Sequence, residues 1–133
     1  MSSRSLQRVR VFAVAAENGS GLASPVAAHF GRCPFYVVVV TKDAEIRAAR
    51  AVENPFVQSH APGEMIGFLR NLGTDTVVVG KEGPGATHCL QRFGIDEEVG
   101  ASGSVADAVG EQLASRADAT HLRRGLAVMP ALQ

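Results

Sequence analysis

Tryptophan is absent from this chain of 133 residues, and aromatic residues make up only 5% of it. Proteins that hold single-stranded nucleic acid stack its bases on aromatic side chains, so that class lacks its usual platform here. Neither sign of charge dominates: 13 basic and 13 acidic residues cancel, and the sequence pI is about 6.9. A basic footprint for nucleic acid is therefore missing too. No apolar run approaches the roughly 18 residues that a membrane span needs. The opening stretch Met1–Arg8 is polar and lacks the apolar centre of a signal peptide. Cysteine occurs only twice, at Cys33 and Cys89. Without a secretion signal, that pattern fits reduced thiols in the cytoplasm and not a disulfide framework. These absences leave a cytoplasmic protein with no nucleic-acid or membrane partner. Its hydrophobic content of 46% suits one globular domain, large enough to bury roughly two-thirds of its unfolded surface.

The apolar residues that are present fall into a readable order. Val9 to Ala15 reads as a first strand, followed by a long Gly/Ser/Ala-rich connection from Glu17 to Cys33. Connections of that length inside a compact domain tend to be functional. Phe35 to Thr41 is a near-continuous β-branched run, the pattern of a strand covered on both faces. A polar turn at 42–45 returns the chain as a third, antiparallel strand over Ile46–Val52. Then the period changes. Met65, Ile66, Leu69 and Leu72 recur at helical spacing, and Gly73 ends the helix. Thr76–Val79 is a short buried strand, Pro84 opens a second helix running to about Phe93, and Gly94-Ile95 begins a weak fifth strand burdened by Asp96, Glu97 and Glu98. Ser104, with Asp107 three residues on, caps a last helix to about Ala114. The expected organisation is a disordered N-terminus over 1–8, one domain over 9–114 and a C-terminal tail over 115–133.

This order predicts an α/β fold: a three-strand meander followed by right-handed crossovers, making a mixed sheet with helices on both faces. If strands one, three, four and five are parallel, the loops 17–33, 54–62, 80–84 and 100–103 share one edge. That edge is where open α/β sheets place their ligands. It gathers His29, Cys33, His60 and the His88-Cys89 pair toward one end of the molecule. His29 and Cys33 lie four residues apart on a loop leading into a buried strand, and imidazole and thiolate are borderline-to-soft metal ligands.

Six short motifs occur in sequence: His29-Phe30-Gly31-Arg32, Glu53-Asn54-Pro55, Leu72-Gly73-Thr74-Asp75-Thr76-Val77-Val78-Val79-Gly80, Gly83-Pro84-Gly85-Ala86, Gly94-Ile95 and Gly103-Ser104-Val105-Ala106-Asp107-Ala108. In this order they resemble the dinitrogenase iron–molybdenum cofactor biosynthesis family, which includes the NifX and NafY carriers, the C-terminal part of NifB and small stand-alone proteins. The resemblance covers roughly residues 9–114. It implies a ribonuclease-H-like, three-layer α/β fold whose five-stranded mixed sheet has the order 3-2-1-4-5, strand two antiparallel. It implies a carrier or chaperone, not an enzyme. The cargo would be an iron–sulfur-based cluster, with or without molybdenum, held non-covalently so that the purified protein can lack it. Its partners would be the proteins that donate and accept that cluster. The histidine of the His-Phe-Gly motif is the family's ligand, which transfers to His29. Two departures stand out: Glu82 replaces an aliphatic residue near the pocket mouth, and Asp96-Glu97-Glu98 replaces an apolar strand.

Each candidate has a plainer reading. His29 could simply order its loop by bonding a carbonyl. Cys33 is either a second, softer ligand or a small buried apolar residue at the strand entrance. Two cysteines cannot supply the four thiolates of a resident cluster, so any cluster must arrive assembled. His60 reads first as solvent-exposed and second as an auxiliary ligand. His88 and Cys89 are neighbours on one helix and point about 100° apart, so both cannot face one pocket. The loop Gly80–Ala86 fails the Walker spacing, yet a helix N-terminus beside Gly80, Gly83 and Gly85, with Gly31 opposite, would help cradle an anionic cluster. A ribonuclease-H-type nuclease needs carboxylates on its central strands, and Val9–Ala15 has none. The remaining alternative is a regulatory or interaction domain that keeps the fold without a cluster. Leu126, Val128, Met129 and Leu132 in the tail are suited to pack on a second copy as a homodimer.

Overall fold

The computed structural model describes residues 8–56, 62–81 and 90–114. The run from Val9 to Glu53 forms an antiparallel meander of β1 (Val9–Ala16), β2 (Phe35–Lys42) and β3 (Glu45–Glu53). Then β4 (Thr76–Val79) pairs parallel to β1, and β5 (Asp96–Val99) parallel to β4. The sheet order is β3-β2-β1-β4-β5, as the motif order implied.

Burial explains this arrangement. On β2, Tyr36 to Val39 are all buried, which is why the run carries no polar alternation. One face of the sheet presents Ala13, Ala15, Tyr36, Val77 and Val79 to a helix over Pro62–Asn71 through Met65, Ile66 and Leu69. The other presents Phe12, Val14, Val37, Val39 and Val78 to the 105–114 helix through Val105, Ala108 and Val109. A fully buried aliphatic side chain of this kind stabilises the fold by roughly 1.5–3 kcal/mol.

The helix ends follow their local chemistry. Gly73 sits at φ +88°, donating to the Arg70 carbonyl (2.8 Å) while Thr74 N–H reaches Leu69 O (3.2 Å), the paired bonds of a Schellman motif. Gly94 at φ +73° repeats the device after helical residues 90–92, with Ile95 N–H bonded to Leu90 O at 2.9 Å. Gly94 and Ile95 therefore close that turn, with Ile95 filling the core, and β5 starts at Asp96, two residues after the Gly94 start that the sequence suggested. Ser104 and Asp107 form a reciprocal capping box, Asp107 N–H to Ser104 Oγ (3.1 Å) and Ser104 N–H to Asp107 Oδ2 (3.3 Å). In the β2–β3 turn both Asp43 (φ 55°) and Ala44 (φ 69°) are left-handed, the twist that a two-residue hairpin requires. Among the described residues no helix is long and apolar enough to cross a membrane. The expected helix start at Pro84 and the 115–133 tail lie outside the described residues.

Candidate functional site

At the C-terminal edge of β1, β4 and β5 the three departing loops are joined to one another by backbone alone. Ala27 N–H bonds Ala15 O (2.7 Å), Gly80 N–H bonds Ala27 O (3.0 Å) and Lys81 N–H bonds Ala28 O (2.7 Å). Gly100 N–H reaches both Val79 O and Gly80 O at 3.1 Å, and Val26 N–H reaches Gly103 O at 2.9 Å. Gly80 permits this approach: a Cβ there would lie 3.1 Å from Ala28 Cα and 3.2 Å from Ala27 O. Between the loops is an open cleft of about 590 Å³, lined by Glu17, Pro25, Ala28, Lys81, Ser102 and Ser104 among others.

The loop carrying His29 is fixed on both sides. Upstream, Ala27 and Ala28 are held by the bonds just given. Downstream, Phe30 is only 1% exposed, and its carbonyl accepts from the Tyr36 hydroxyl (2.7 Å) and the Cys33 thiol (3.3 Å). The Phe30 and Tyr36 rings pack at a centroid distance of 5.6 Å. From the end of β3, buried Asn54 donates through Nδ2 to the carbonyls of Gly31 (3.2 Å) and Cys33 (2.8 Å). His29 sits between these anchors with its side chain exposed. Its imidazole makes no hydrogen bond or ion pair with another described residue.

A model of the dinitrogenase iron-molybdenum cofactor family matches residues 10–115. The chain belongs to that family. An uncharacterized protein of Methanocaldococcus jannaschii is 28% identical over 91 residues, 67% of this chain and 75% of that protein. The apo form of the orange protein from Desulfovibrio gigas is similar at 30% identity and a TM-score of 0.69, over 81% of this chain and 90% of that one. A NifB-type protein from Thermotoga shares the fold at 21% identity and a TM-score of 0.62, over 75% of this chain and 84% of that one.

Within this family fold, the residues singled out from the sequence occupy unlike environments. His29 is exposed at the edge, whereas Cys33 is 2% exposed and belongs to the core cluster beneath it. Burial pushes the Cys33 thiol up to about 11, so it stays protonated and acts as a donor to Phe30 O. Burial likewise raises the Tyr36 phenol far above its ordinary range, with the Cys33 thiol beside it adding to the shift. In this conformation the packing agrees with the plainer reading of Cys33, a small core residue at the strand entrance. The expectation that Gly80 offers its backbone N–H to a cargo meets a physical obstacle. Gly80 N–H is already bonded to Ala27 O, whereas at Gly31 it is the carbonyl, not the N–H that would face an anion, that is bonded to Asn54. His60, His88, Cys89, Gly83, Gly85 and Glu82 lie outside the described residues. Among the described residues no three His, Cys, Asp or Glu side chains group as a metal site.

Asn54 escaped functional notice in the sequence, where it appeared only as the middle of Glu53-Asn54-Pro55. Its contacts span 21 and 23 residues, beyond any local periodicity. The signal available was a polar residue at the end of an apolar strand, which predicts a turn as readily as a clamp.

Proposed function

We propose that this protein carries an iron–sulfur-based metallocluster of the iron–molybdenum cofactor type, or a precursor of one, and passes it between donor and acceptor proteins without catalysing a reaction. The observation that bears most weight is the exposed imidazole of His29, without a hydrogen-bond or ion-pair partner among the described residues, on a loop held at Ala27, Ala28, Phe30, Gly31 and Cys33. A loop histidine serving only to order its turn would spend a ring nitrogen on a nearby carbonyl. Here Asn54 and Tyr36 do that work, which leaves the imidazole available as a ligand. A single protein ligand on an open edge suits cargo that must leave again, in contrast to the four thiolates of a resident cluster. The exposed Lys81, joined to Ala28, adds positive charge on the same edge for an anionic cargo. Membership of the family and the 30% identity to a protein solved in an apo form support this reading.

The test is anaerobic titration with a pre-assembled iron–sulfur cluster, followed by gel filtration, metal analysis and the visible absorption band. Wild type should retain cluster in stoichiometric amounts. The His29→Ala variant should lose it while keeping its melting temperature, because the exposed imidazole makes no hydrogen bond or ion pair with another described residue. Cys33→Ala should retain cluster if the thiol remains a core residue during binding. Failure of wild type to retain any cluster would remove the carrier reading and favour an interaction domain that has kept the fold.

A further inference from the structure

Asn54 is buried, with 4% exposure, and every polar atom of its amide is engaged. Nδ2 donates to Gly31 O and Cys33 O, and Oδ1 accepts from Phe56 N–H at 2.9 Å, a bond that fixes which way the amide faces. Its own backbone N–H bonds Pro34 O at 2.9 Å. These contacts bracket the segment 31–34, immediately after His29, and tie it to the end of β3. Without Nδ2, the carbonyls of Gly31 and Cys33 would have to find water or another donor, and the segment would be free to turn. We infer that Asn54 is the positioning residue for His29: its side-chain amide clamps the loop so that the imidazole is presented outward while the Cys33 thiol stays sealed beneath. This rests on the carrier reading for its purpose, though not for its geometry.

Asn54→Asp is the variant to make. It keeps the shape of the side chain and the acceptor for Phe56 N–H, but it replaces both donors by an oxygen facing two carbonyls. Two readouts use the unloaded protein: alkylation of Cys33, separated from Cys89 by peptide mass mapping, and the ring signals of His29 in a nitrogen-15 spectrum. Cys33 should react about tenfold faster in Asn54→Asp, the change expected when a pair of buried hydrogen bonds is lost. The His29 signals should shift or broaden. Val78→Ala, which trims the core on the opposite face of the sheet, should change neither at a temperature well below its midpoint. Cluster retention should then fall about tenfold or more in Asn54→Asp alone.

Unchanged Cys33 and His29 readouts, or equal changes in Val78→Ala, would overturn the inference. Altered loop readouts with wild-type cluster retention would overturn it as well, reducing Asn54 to a structural residue. A wild type that retains no cluster would sink the carrier reading, while the two loop readouts would still decide whether Asn54 sets the His29 geometry. Should Asn54→Asp fail to fold, hydrogen exchange in the wild type decides. The side-chain amide protons of Asn54 should be slow, and exchange at the rate of a free amide would refute the clamp.

Discussion

The two ends of the β1–β4 pair are joined differently. At the N-terminal end, a side-chain network reinforces the main-chain bond from Asp75 N–H to Val11 O (2.9 Å). Asp75 accepts from Arg10 Nε (3.1 Å), from Val11 N–H (2.9 Å) and from the Thr76 hydroxyl (2.8 Å), and Arg10 Nη2 donates to Thr76 Oγ1 at 2.6 Å. The Arg10 guanidinium also lies 5.3 Å from the centre of the Phe12 ring. At the C-terminal end, the loops are joined by main-chain bonds through Ala27, Ala28, Gly80 and Gly100. Side chains that bond each other are unavailable to anything else. Where backbone does the joining, His29 and Lys81 are left exposed on a scaffold that cannot easily yield. The difference separates an end whose polar side chains are engaged with one another from one that leaves its polar side chains exposed.

Three experiments would break or sharpen that division. The largest effect is expected from Gly80→Val, whose Cβ would press on the Ala27 and Ala28 backbone. It should cost about 3 kcal/mol in urea unfolding and displace His29 enough to weaken cluster retention. Next comes alkali. The Cys33 thiol is raised from 9.0 to about 11 in the folded protein, so the unfolded chain releases its proton first as pH climbs. Its contribution is complete below pH 9.0 and is lost as pH rises through about 11. The total is about 3 kcal/mol, a loss that Cys33→Ala should remove from the pH profile of unfolding. The smallest effect belongs to Asp75→Asn, about 1 kcal/mol because the Arg10 pair is partly exposed. Cluster retention at the far edge should be untouched. A retention defect in Asp75→Asn comparable to that of Gly80→Val would show that the two ends are not independent.

Much of the frame was legible because it obeys short-range rules. The unbroken apolar run of β2, the Gly73 stop and the Ser104–Asp107 cap each follow from a few adjacent residues, and each stands in the structure. Element order pointed to the meander and the crossovers, and the resemblance carried by the six motifs supplied the strand order that the sheet shows. The site was less legible. Nothing local distinguishes His29 from Cys33, because loop residues have no periodicity to say which side chain turns inward. The decision is made by Phe30 filling the core and drawing the thiol and the Tyr36 hydroxyl onto one carbonyl. Gly80 invited an anion-cradle reading, but its missing side chain serves the close approach of two loops.

The outer side of β3 pairs with no other described strand. Nine residues of backbone along a sheet margin invite a neighbouring molecule to zip on. Three features discourage it: Arg47 and Arg50 stand exposed along the strand, and the pairing with β2 slips a register between Val40 and Thr41, with Arg47 as the extra residue. A flat apolar strand would template growth, whereas a bulged one that sets charged side chains of both signs along its margin resists it. The same margin that closes the meander thus carries its own guard against edge-to-edge pairing.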